Sequence, residues 1–600
     1  MNTPTAAEVS ALAARILPRR DPTRRLRSLI RSSEIWLVAL AVVTGVAAGL
    51  AVALMGTISD HAHQILFGLG KGDRLSGMGR LPRGYWVPAF GGVVLGLVRW
   101  LRSRRRSGPT VDPIEANALH GGRMSLRDSV WVTLQTLLSN GFGASVGLEA
   151  GYAQIGSGMA SRLGLAMRLR RNDLRVLVGC GAGGAIGAAF GAPLTGAFYA
   201  FELIVGSYSI GNVAPIMAAS LAGVLTARAV RAVTYQIVLA PASPTLPSDY
   251  PTMIVLGVLC AGLGVVVMRA VYFAERAFDA ARIPALTRPA VAGAALGGLA
   301  LITPQVLSAG HGGLRLDAPA ALSIGVLLSL ILLKILASAF SLGGGFRGGL
   351  FFAALFLGAL TGKLFAAVVA LIAPSLSIDP TLCMLVGMAT LAVAVVGGPL
   401  TMSFLVLETT GDFSVTTVVI AASLVASLVV RETFGYSFST WRLHLRGETI
   451  RGATDVGWVR ALTVGRMMRR EPPTIEGHVT LAEFRRRHAL GSAPHLVVVD
   501  RDGAYLGMAS ITDAYASAEH PEEDAHRTAA DIALQGDETL SPDMNIKQAM
   551  AVFDRSESEA LAVIDDAEHR RVIGLLTEGF ALRRYAEELD KVREGLTGGA

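Results

Sequence analysis

One glutamate, Glu149, is embedded in the glycine-rich apolar segment Asn140-Gly-Phe-Gly-Ala-Ser-Val-Gly-Leu-Glu-Ala-Gly151. A second such segment, Gly343-Gly-Gly-Phe-Arg-Gly-Gly349, carries five glycines in seven residues. Irregular backbone survives at membrane depth only where protein buries it or where it lines a wet cavity. Helices broken there aim their amino-terminal ends at the centre, and such an end carries about +0.5 charge and free N–H donors. It attracts an anion without a full cation, which would hold the ion too tightly for quick release. An ionised carboxylate in that nest would occupy the site itself and leave when protonated. Glu149 is therefore a candidate gate and proton acceptor. Close glycine packing between helices is the alternative reading; it suits isolated glycines better than a run that embeds a glutamate. Arg347, within the second segment, either adds a cation near the path or marks a rim.

The elements that must position these segments repeat. Pro193-Leu-Thr-Gly-Ala-Phe-Tyr-Ala-Phe-Glu202 matches Pro399-Leu-Thr-Met-Ser-Phe-Leu-Val-Leu-Glu408 at a constant offset of 206 residues. Both follow glycine-rich apolar runs, as expected of a duplicated membrane half with its site at the interface of the halves. Glu202 and Glu408 each end a repeat, which points to a structural role in satisfying backbone or closing a helix end.

The composition supports a membrane body. The 600 residues are only 17% charged, and their mean hydropathy is +0.49. Ile35–Ser59 and Met253–Met268 contain no charge, and a spanning helix needs about 20 apolar residues. Seven arginines precede Ile35 (Arg15, Arg19, Arg20, Arg24, Arg25, Arg27 and Arg31), and no cleavable signal peptide is read there. Arg99, Arg102, Arg104, Arg105 and Arg106 form a second cluster, and Arg168, Arg170, Arg171 and Arg175 a third. Positive loops stay cytoplasmic. Two crossings, Ile35–Ser59 and Tyr85–Val98, would put the tail and the second cluster on one side. The arginines border apolar spans without interleaved aromatics, so they are read as topology signals, not as a nucleic-acid surface. Cys180, Cys260 and Cys383 have no metal-ligand spacing and read as small buried residues. His61 and His63 are placed in a loop after the first span, with no metal site.

The organisation expected is a basic tail (1–33), a membrane body (34–436, with halves 34–230 and 251–436), a link (437–461) and a soluble α/β region. In that region His495–Val499 reads as a strand, Asp500-Arg-Asp-Gly503 as a hairpin turn, and Tyr505–Ser510 as the return strand before a helix opened by Thr512 and Asp513. The order recurs at Ala560–Ile564, Asp565–Arg571, Val572–Leu576 and Thr577. Two modules, 462–520 and 528–590, follow.

These residues together resemble the CLC family of chloride channels and chloride/proton exchangers. Gly147-Leu-Glu-Ala-Gly151 resembles the family's Gly-Lys/Arg-Glu-Gly-Pro motif, and Gly191-Ala-Pro-Leu-Thr-Gly196 with Glu202 its Asn-Ala-Pro-Leu-Ala-Gly…Glu segment. Gly349-Leu-Phe-Phe-Ala353 resembles its Gly-x-Phe-x-Pro segment, and Glu115–Arg123 the stretch after its Gly-Ser-Gly-Ile-Pro motif. The resemblance implies an all-α, polytopic, inverted-repeat membrane fold with broken helices, a homodimer with one pore per subunit, cytoplasmic termini, and no enzymatic activity. Departures from the family are specific. The Gly-Ser-Gly-Ile-Pro motif is eroded to Ser107-Gly-Pro-Thr-Val111, leaving Thr110 as the nearest hydroxyl. Leu148 replaces the basic residue before the gate, and Ala353 a proline. The ion-contacting tyrosine falls at Ser439, with Tyr436 close by. The second glutamate of some exchangers falls at Leu203, so little stoichiometric proton transport is expected. The implied anion site is then Val146, Gly147, Leu148, Ala150, Gly151, Leu350, Phe351 and Phe352, with Thr110 and Ser439. Chloride is the implied ion, and nothing in the residues separates it from fluoride, bromide or nitrate. The two modules resemble paired cystathionine-β-synthase-type (CBS) domains. Gly507-Met-Ala-Ser510-Ile-Thr-Asp513 fits their ribose/phosphate pattern, while Gly574-Leu-Leu-Thr577-Glu-Gly-Phe580 lacks the aspartate. Either one adenine nucleotide binds through Ser510, Thr512, Asp513 and Thr577, or the pair only dimerises. A nucleotide-sensing protein with a vestigial pore is the rival of another class.

Overall fold

The computed structural model describes residues 34–70, 72–81, 84–104, 110–230, 242–376, 378–445, 462–490, 495–516, 526–566 and 568–597. The arginine tail, Arg105, Arg106, Ser107–Pro109 and most of the link lie outside them. The chain divides into two compact units, Met1–Asp455 and Val456–Ala600.

The first unit is helical. Its elements are α1 (Glu34–Phe67), α2 (Val87–Ser103), α3 (Pro113–Leu119), α4 (Leu126–Gly141), α5 (Glu149–Ala166), α6 (Arg171–Phe190), α7 (Pro193–Tyr199, continued by a π-helical turn, Ala200–Val205) and α8 (Ile210–Val230). Then come α9 (Asp249–Ala280), α10 (Arg288–Ile302), α11 (His311–Asp317), α12 (Ile324–Gly343), α13 (Phe351–Ile372), α14 (Pro380–Val396), α15 (Pro399–Thr410), α16 (Phe413–Thr433) and α17 (Phe438–Leu445). Among the described residues, seven helical segments are long and apolar enough to cross a membrane. Val43, Leu50 and Leu54 of α1 are exposed, as a lipid-facing stripe requires. The three cysteines are buried.

Two sequence expectations change here. The histidines are not in a loop: α1 runs on to Phe67, well past the uncharged run, and places both in its last turns. His61 is exposed, whereas His63 is buried. The membrane body also continues past residue 436, because α17 buries Phe438 and Leu443 against it.

The two halves meet through matched contacts. The Glu408 carboxylate accepts from the Leu194 N–H at 2.7 Å, the Thr195 N–H at 2.8 Å and the Thr195 hydroxyl at 2.7 Å. Glu202 does the same for the Leu400 N–H (3.0 Å), the Thr401 N–H (2.8 Å) and the Thr401 hydroxyl (2.7 Å). Each carboxylate thus satisfies the orphan donors at the amino-terminal end of the other half's helix, where negative charge is also favoured. Phe198 stacks on its counterpart Phe404, with ring centroids 4.2 Å apart. Such reciprocity is the mark of an approximate twofold axis. Glycines permit the close packing: a Cβ on Gly156 would strike the Gly181 carbonyl and the reverse, and Gly358 and Gly387 repeat this in the second half.

The second unit holds two three-stranded sheets. Its strands are β1 (Arg469–Arg470), β2 (Thr474–Glu476), β3 (His495–Val499), β4 (Tyr505–Ser510), β5 (Ala560–Ile564) and β6 (Val572–Thr577). The sheet orders are β2-β3-β4 and β1-β6-β5. Both expected hairpins form. Gly507 pairs with Val498, and Gly574 with Val563. At the first turn the Asp500 carboxylate accepts from the Asp502 and Ala504 N–H groups. At the second, Asp566 accepts from the Glu568 and His569 N–H groups, which hold it below the usual carboxylate range. The chain crosses the expected module boundaries. Leu462, Val464 and Met467 pack in the core around β5 and β6, while Ala529 and Ile532 pack with β2 and β3. The modules therefore exchange their leading segments.

Candidate functional site

The glycine-rich loops bring the starts of α5 and α13 together. The Gly147 N–H donates to the Gly349 carbonyl at 2.9 Å, and the Gly349 N–H to the Gly147 carbonyl at 3.2 Å. Ser145 N–H donates to the Ser341 hydroxyl, and Arg347 N–H to the Ser139 hydroxyl, both at 2.9 Å. Each of these residues has its symmetry counterpart in the other half at an offset of 202: Ser139 and Ser341, Ser145 and Arg347, Gly147 and Gly349. The first backbone bonds of the two helices run from Tyr152 to Leu148 and from Ala354 to Leu350. The amides before them are not used within the helices.

At this meeting point the symmetry breaks: Glu149 stands opposite Phe351. Its side chain is 5% exposed and turns back over Gly147, where a Cβ would collide with its carboxylate. The Phe352 backbone faces that carboxylate, and Oε2 has no hydrogen-bond partner. An unfilled carboxylate oxygen buried among amides is a group held in place but not fully satisfied, which suits a displaceable occupant.

Glu149 lines two cavities. One, of about 130 Å³, is also bounded by Thr110, Ala150, Leu350, Phe351 and Ser439. The other, of about 20 Å³, is bounded by Leu148, Ser59, His63, Asn140, Ser308 and His311. The sequence reading thus converges on one locus. Val146, Gly147, Gly151 and Phe352 support the site from behind. The Val146 carbonyl accepts from Asn140 Nδ2 at 2.8 Å, and the Gly151 carbonyl from the Thr133 hydroxyl at 3.3 Å. Arg347 lines the larger cavity with Arg442, a placement that fits either of its two readings. Tyr436 instead bonds His444 at 3.2 Å. Leu203 packs with Val111 and Tyr199.

Several residues escaped the sequence reading. Tyr199 and Gln154 line the larger cavity; Gln154 donates to the Val111 carbonyl at 3.0 Å and fixes the segment that carries Thr110. Tyr199 had a signal, since the repeat places Leu405 at its equivalent position. Asn140 had none: it accepts from Ser59, donates to Val146 and Ser308, and its carbonyl meets His63 at 2.8 Å. In the second unit, Ser510 ends β4 and Thr577 ends β6, and Thr512 and Asp513 are exposed in the helix Ile511–Ala516. The Thr512 N–H donates to the Ser510 hydroxyl at 3.2 Å.

Residues 90–431 match the family model described as voltage gated chloride channel. A voltage-gated ClC-type chloride channel ClcB of Yersinia pseudotuberculosis is 31% identical over 358 residues, covering 58% of this chain and 84% of that protein. A solved slow cyanobacterial Cl−/H+ antiporter aligns with TM-score 0.59 at 22% identity, over 68% of this chain and 97% of that one. A solved eukaryotic CLC transporter aligns with TM-score 0.55 at 18% identity, over 92% and 98%. The two structural likenesses are likenesses of fold.

Proposed function

Because this chain belongs to the voltage-gated chloride channel family, multi-pass membrane proteins of CLC-type anion transport, we propose that it carries chloride and that Glu149 gates it. The observation that carries the gate is the position of Glu149, which lines both cavities and leaves Oε2 unpartnered. Ionised, the carboxylate occupies the amides at the starts of α5 and α13; protonated, it yields them to the anion. Thr110 and Ser439 supply hydroxyls on the larger cavity, and backbone amides carry most of the binding. Chloride efflux from liposomes tests this. Wild-type flux rises as pH falls, and Glu149→Ala removes that dependence while keeping flux.

Chloride/proton antiport is the second reading, favoured by Glu149 facing both cavities and by the hydroxyl of Tyr199 on the larger one. Leu203 offers no proton acceptor, so such a route would run through water and Tyr199. Proton movement driven by a chloride gradient separates the two readings, and the first expects little of it. The rival of another class, a nucleotide sensor with a vestigial pore, predicts no flux at all.

For the second unit we propose a CBS pair that binds one adenine nucleotide. Ser510, Thr512 and Thr577 would face the phosphates, and Asp513 the ribose hydroxyls. The protein would act as a homodimer with both termini in the cytoplasm, without enzymatic activity.

A further inference from the structure

Residues 305–317 run from the short 3-10 turn Pro304–Val306 to the end of α11, and their Ser308, His311 and Gly312 wall the smaller cavity. Two lysines grip the ends of this segment. Lys334 of α12, 1% exposed, donates to the carbonyls of Ser308 at 2.7 Å, Val306 at 3.2 Å and Gln305 at 3.5 Å. Lys363 of α13 donates to the carbonyls of Asp317 at 2.6 Å, Ala318 at 2.9 Å and Ala320 at 2.6 Å. An ammonium has three N–H donors, so both lysines have committed all of theirs to backbone.

The two ends also meet through side chains. Gln305 Nε2 donates to Asp317 Oδ1 at 2.9 Å. Asp317 is 3% exposed and Gln305 9%. Each group keeps one further oxygen, Asp317 Oδ2 and Gln305 Oε1, buried without a hydrogen-bond partner. Both are acceptors, and what both lack is a donor. Turning the amide over would set oxygen against oxygen and leave a donor still missing. The charged and titratable groups on the elements packed around Asp317 are Lys363, Lys334, Arg74 beside the turn Leu75–Gly77, and Arg315 and His311 of α11 itself. Among the described residues, none of them forms an ion pair with its carboxylate; Arg74 pairs with Asp60 at 3.3 Å. A buried carboxylate without an ion partner is costly, and a proton removes the charge. α11 lies outside the seven segments long enough to span. Burial there pushes the Asp317 carboxyl up to about 6, against the Gln305 bond and the Lys363 charge, which lower it.

We propose that Asp317 and Gln305 form a proton-binding site distinct from Glu149. The proton sits on Asp317 Oδ2 and is donated to Gln305 Oε1, which closes an acid–amide pair with two hydrogen bonds. The pair clasps positions 12 residues apart and steadies the wall that carries Ser308 and His311. Neither residue lines either cavity, so both are positioning residues. When the proton leaves, the pair loses one bond and sets a carboxylate beside an amide oxygen. The folded carboxyl stands above the ordinary aspartate value of about 4. The stability it contributes is therefore complete below that value and is lost as pH rises through about 6. The inference does not depend on which ion the chain carries.

The test is thermal melting of the full-length protein carrying Glu149→Gln, in detergent, from about pH 5 to about pH 8, so that residue 149 adds nothing to the profile. The melting temperature should fall as pH rises. Asp317→Asn replaces the O–H donor by an N–H donor that no pH in this range removes. It should lose most of that fall and melt roughly 2 °C above its parent at the alkaline end. Infrared difference spectra between the two ends should show a protonated-carboxyl band in the parent and lose it in Asp317→Asn. Gln305→Glu, in which two carboxyls share the proton, should fall more steeply than the parent. An Asp317→Asn protein that melts below its parent across the range would mark an ionised aspartate and overturn the proposal. So would absence of an Asp317-dependent band, which would leave a bridging water between the two oxygens. A parent stabilised at alkaline pH by sodium, relative to N-methylglucamine at constant chloride, would mark a cation site and likewise overturn it. Should Asp317→Asn fail to fold, the Gln305→Glu profile decides: a steeper fall supports the site, and a slope equal to the parent's overturns it.

Discussion

Glu202 and Glu408, set against Glu149, place one residue type in two different settings within one membrane body. The first two are equivalent across the twofold axis. Each carboxylate takes three hydrogen bonds from the opposite half and caps a helix there. Glu149 has no equivalent: its position across the axis is Phe351, and its Oε2 is unfilled. The symmetric carboxylates are locked by their partners, and the asymmetric one keeps an oxygen without a hydrogen-bond partner, as the proposed displacement requires. Symmetry holds the halves together, and its breach at Glu149 marks the candidate site.

The largest effect should come from breaking the locked pair. Glu408→Ala orphans the Leu194 and Thr195 donors, and Glu202→Ala those of Leu400 and Thr401. Each should cost on the order of 3 kcal/mol, from about 1–3 kcal/mol per unsatisfied buried donor. Thermal melts and the monodisperse fraction in detergent measure this. Glu149→Ala, which orphans far less, should melt close to wild type. Comparable destabilisation by all three would erase the distinction.

A sharper break needs no change to any carboxylate. A Cβ at Gly147 would meet the Glu149 side chain, so Gly147→Ala should expel the carboxylate from its nest. Flux at neutral pH should then rise to the level wild type reaches in acid. Unchanged pH dependence would mean that the carboxylate does not need this seat. Smaller still, Thr195→Val and Thr401→Val each remove one of three donors. They should cost about 1 kcal/mol apiece and match each other within about 0.5 kcal/mol. Unequal costs would mean that the reciprocity is only approximate in energy. The exposed carboxylate of Asp513 supplies the smallest contrast: Asp513→Ala should leave the melting temperature unchanged and abolish the heat of ATP, ADP or AMP binding by calorimetry. No heat from wild type leaves the dimer-only reading of the second unit.

The buried glutamate of the candidate site and the repeat were legible because their signals are local. A charge inside a glycine-rich apolar run and a ten-residue motif recurring at fixed spacing need no tertiary contact to be seen. Thr110 and Ser439 were reached through family resemblance, since an eroded motif and a serine in a tyrosine's place carry little signal of their own. Asn140, Gln154 and Lys334 stayed hidden because their roles depend on partners in distant segments; Lys334 in an apolar helix looks like any rim lysine until its three carbonyls are seen. His61 and His63 were misplaced for a physical reason. A helix can outlast its uncharged stretch when its last turns pack on protein, as His63 does on Asn140. The exchange of leading segments between the two small sheets was likewise invisible, because strand pairing carries no mark of which neighbour it will choose.

The central claim is that Glu149 is the displaceable carboxylate of an anion path, and chloride efflux from liposomes as a function of pH, for wild type and Glu149→Gln, tests it most directly. The account predicts wild-type flux that climbs as pH falls and Glu149→Gln flux that is flat and close to the wild-type acid limit. A Glu149→Gln protein that keeps the wild-type pH profile would contradict it.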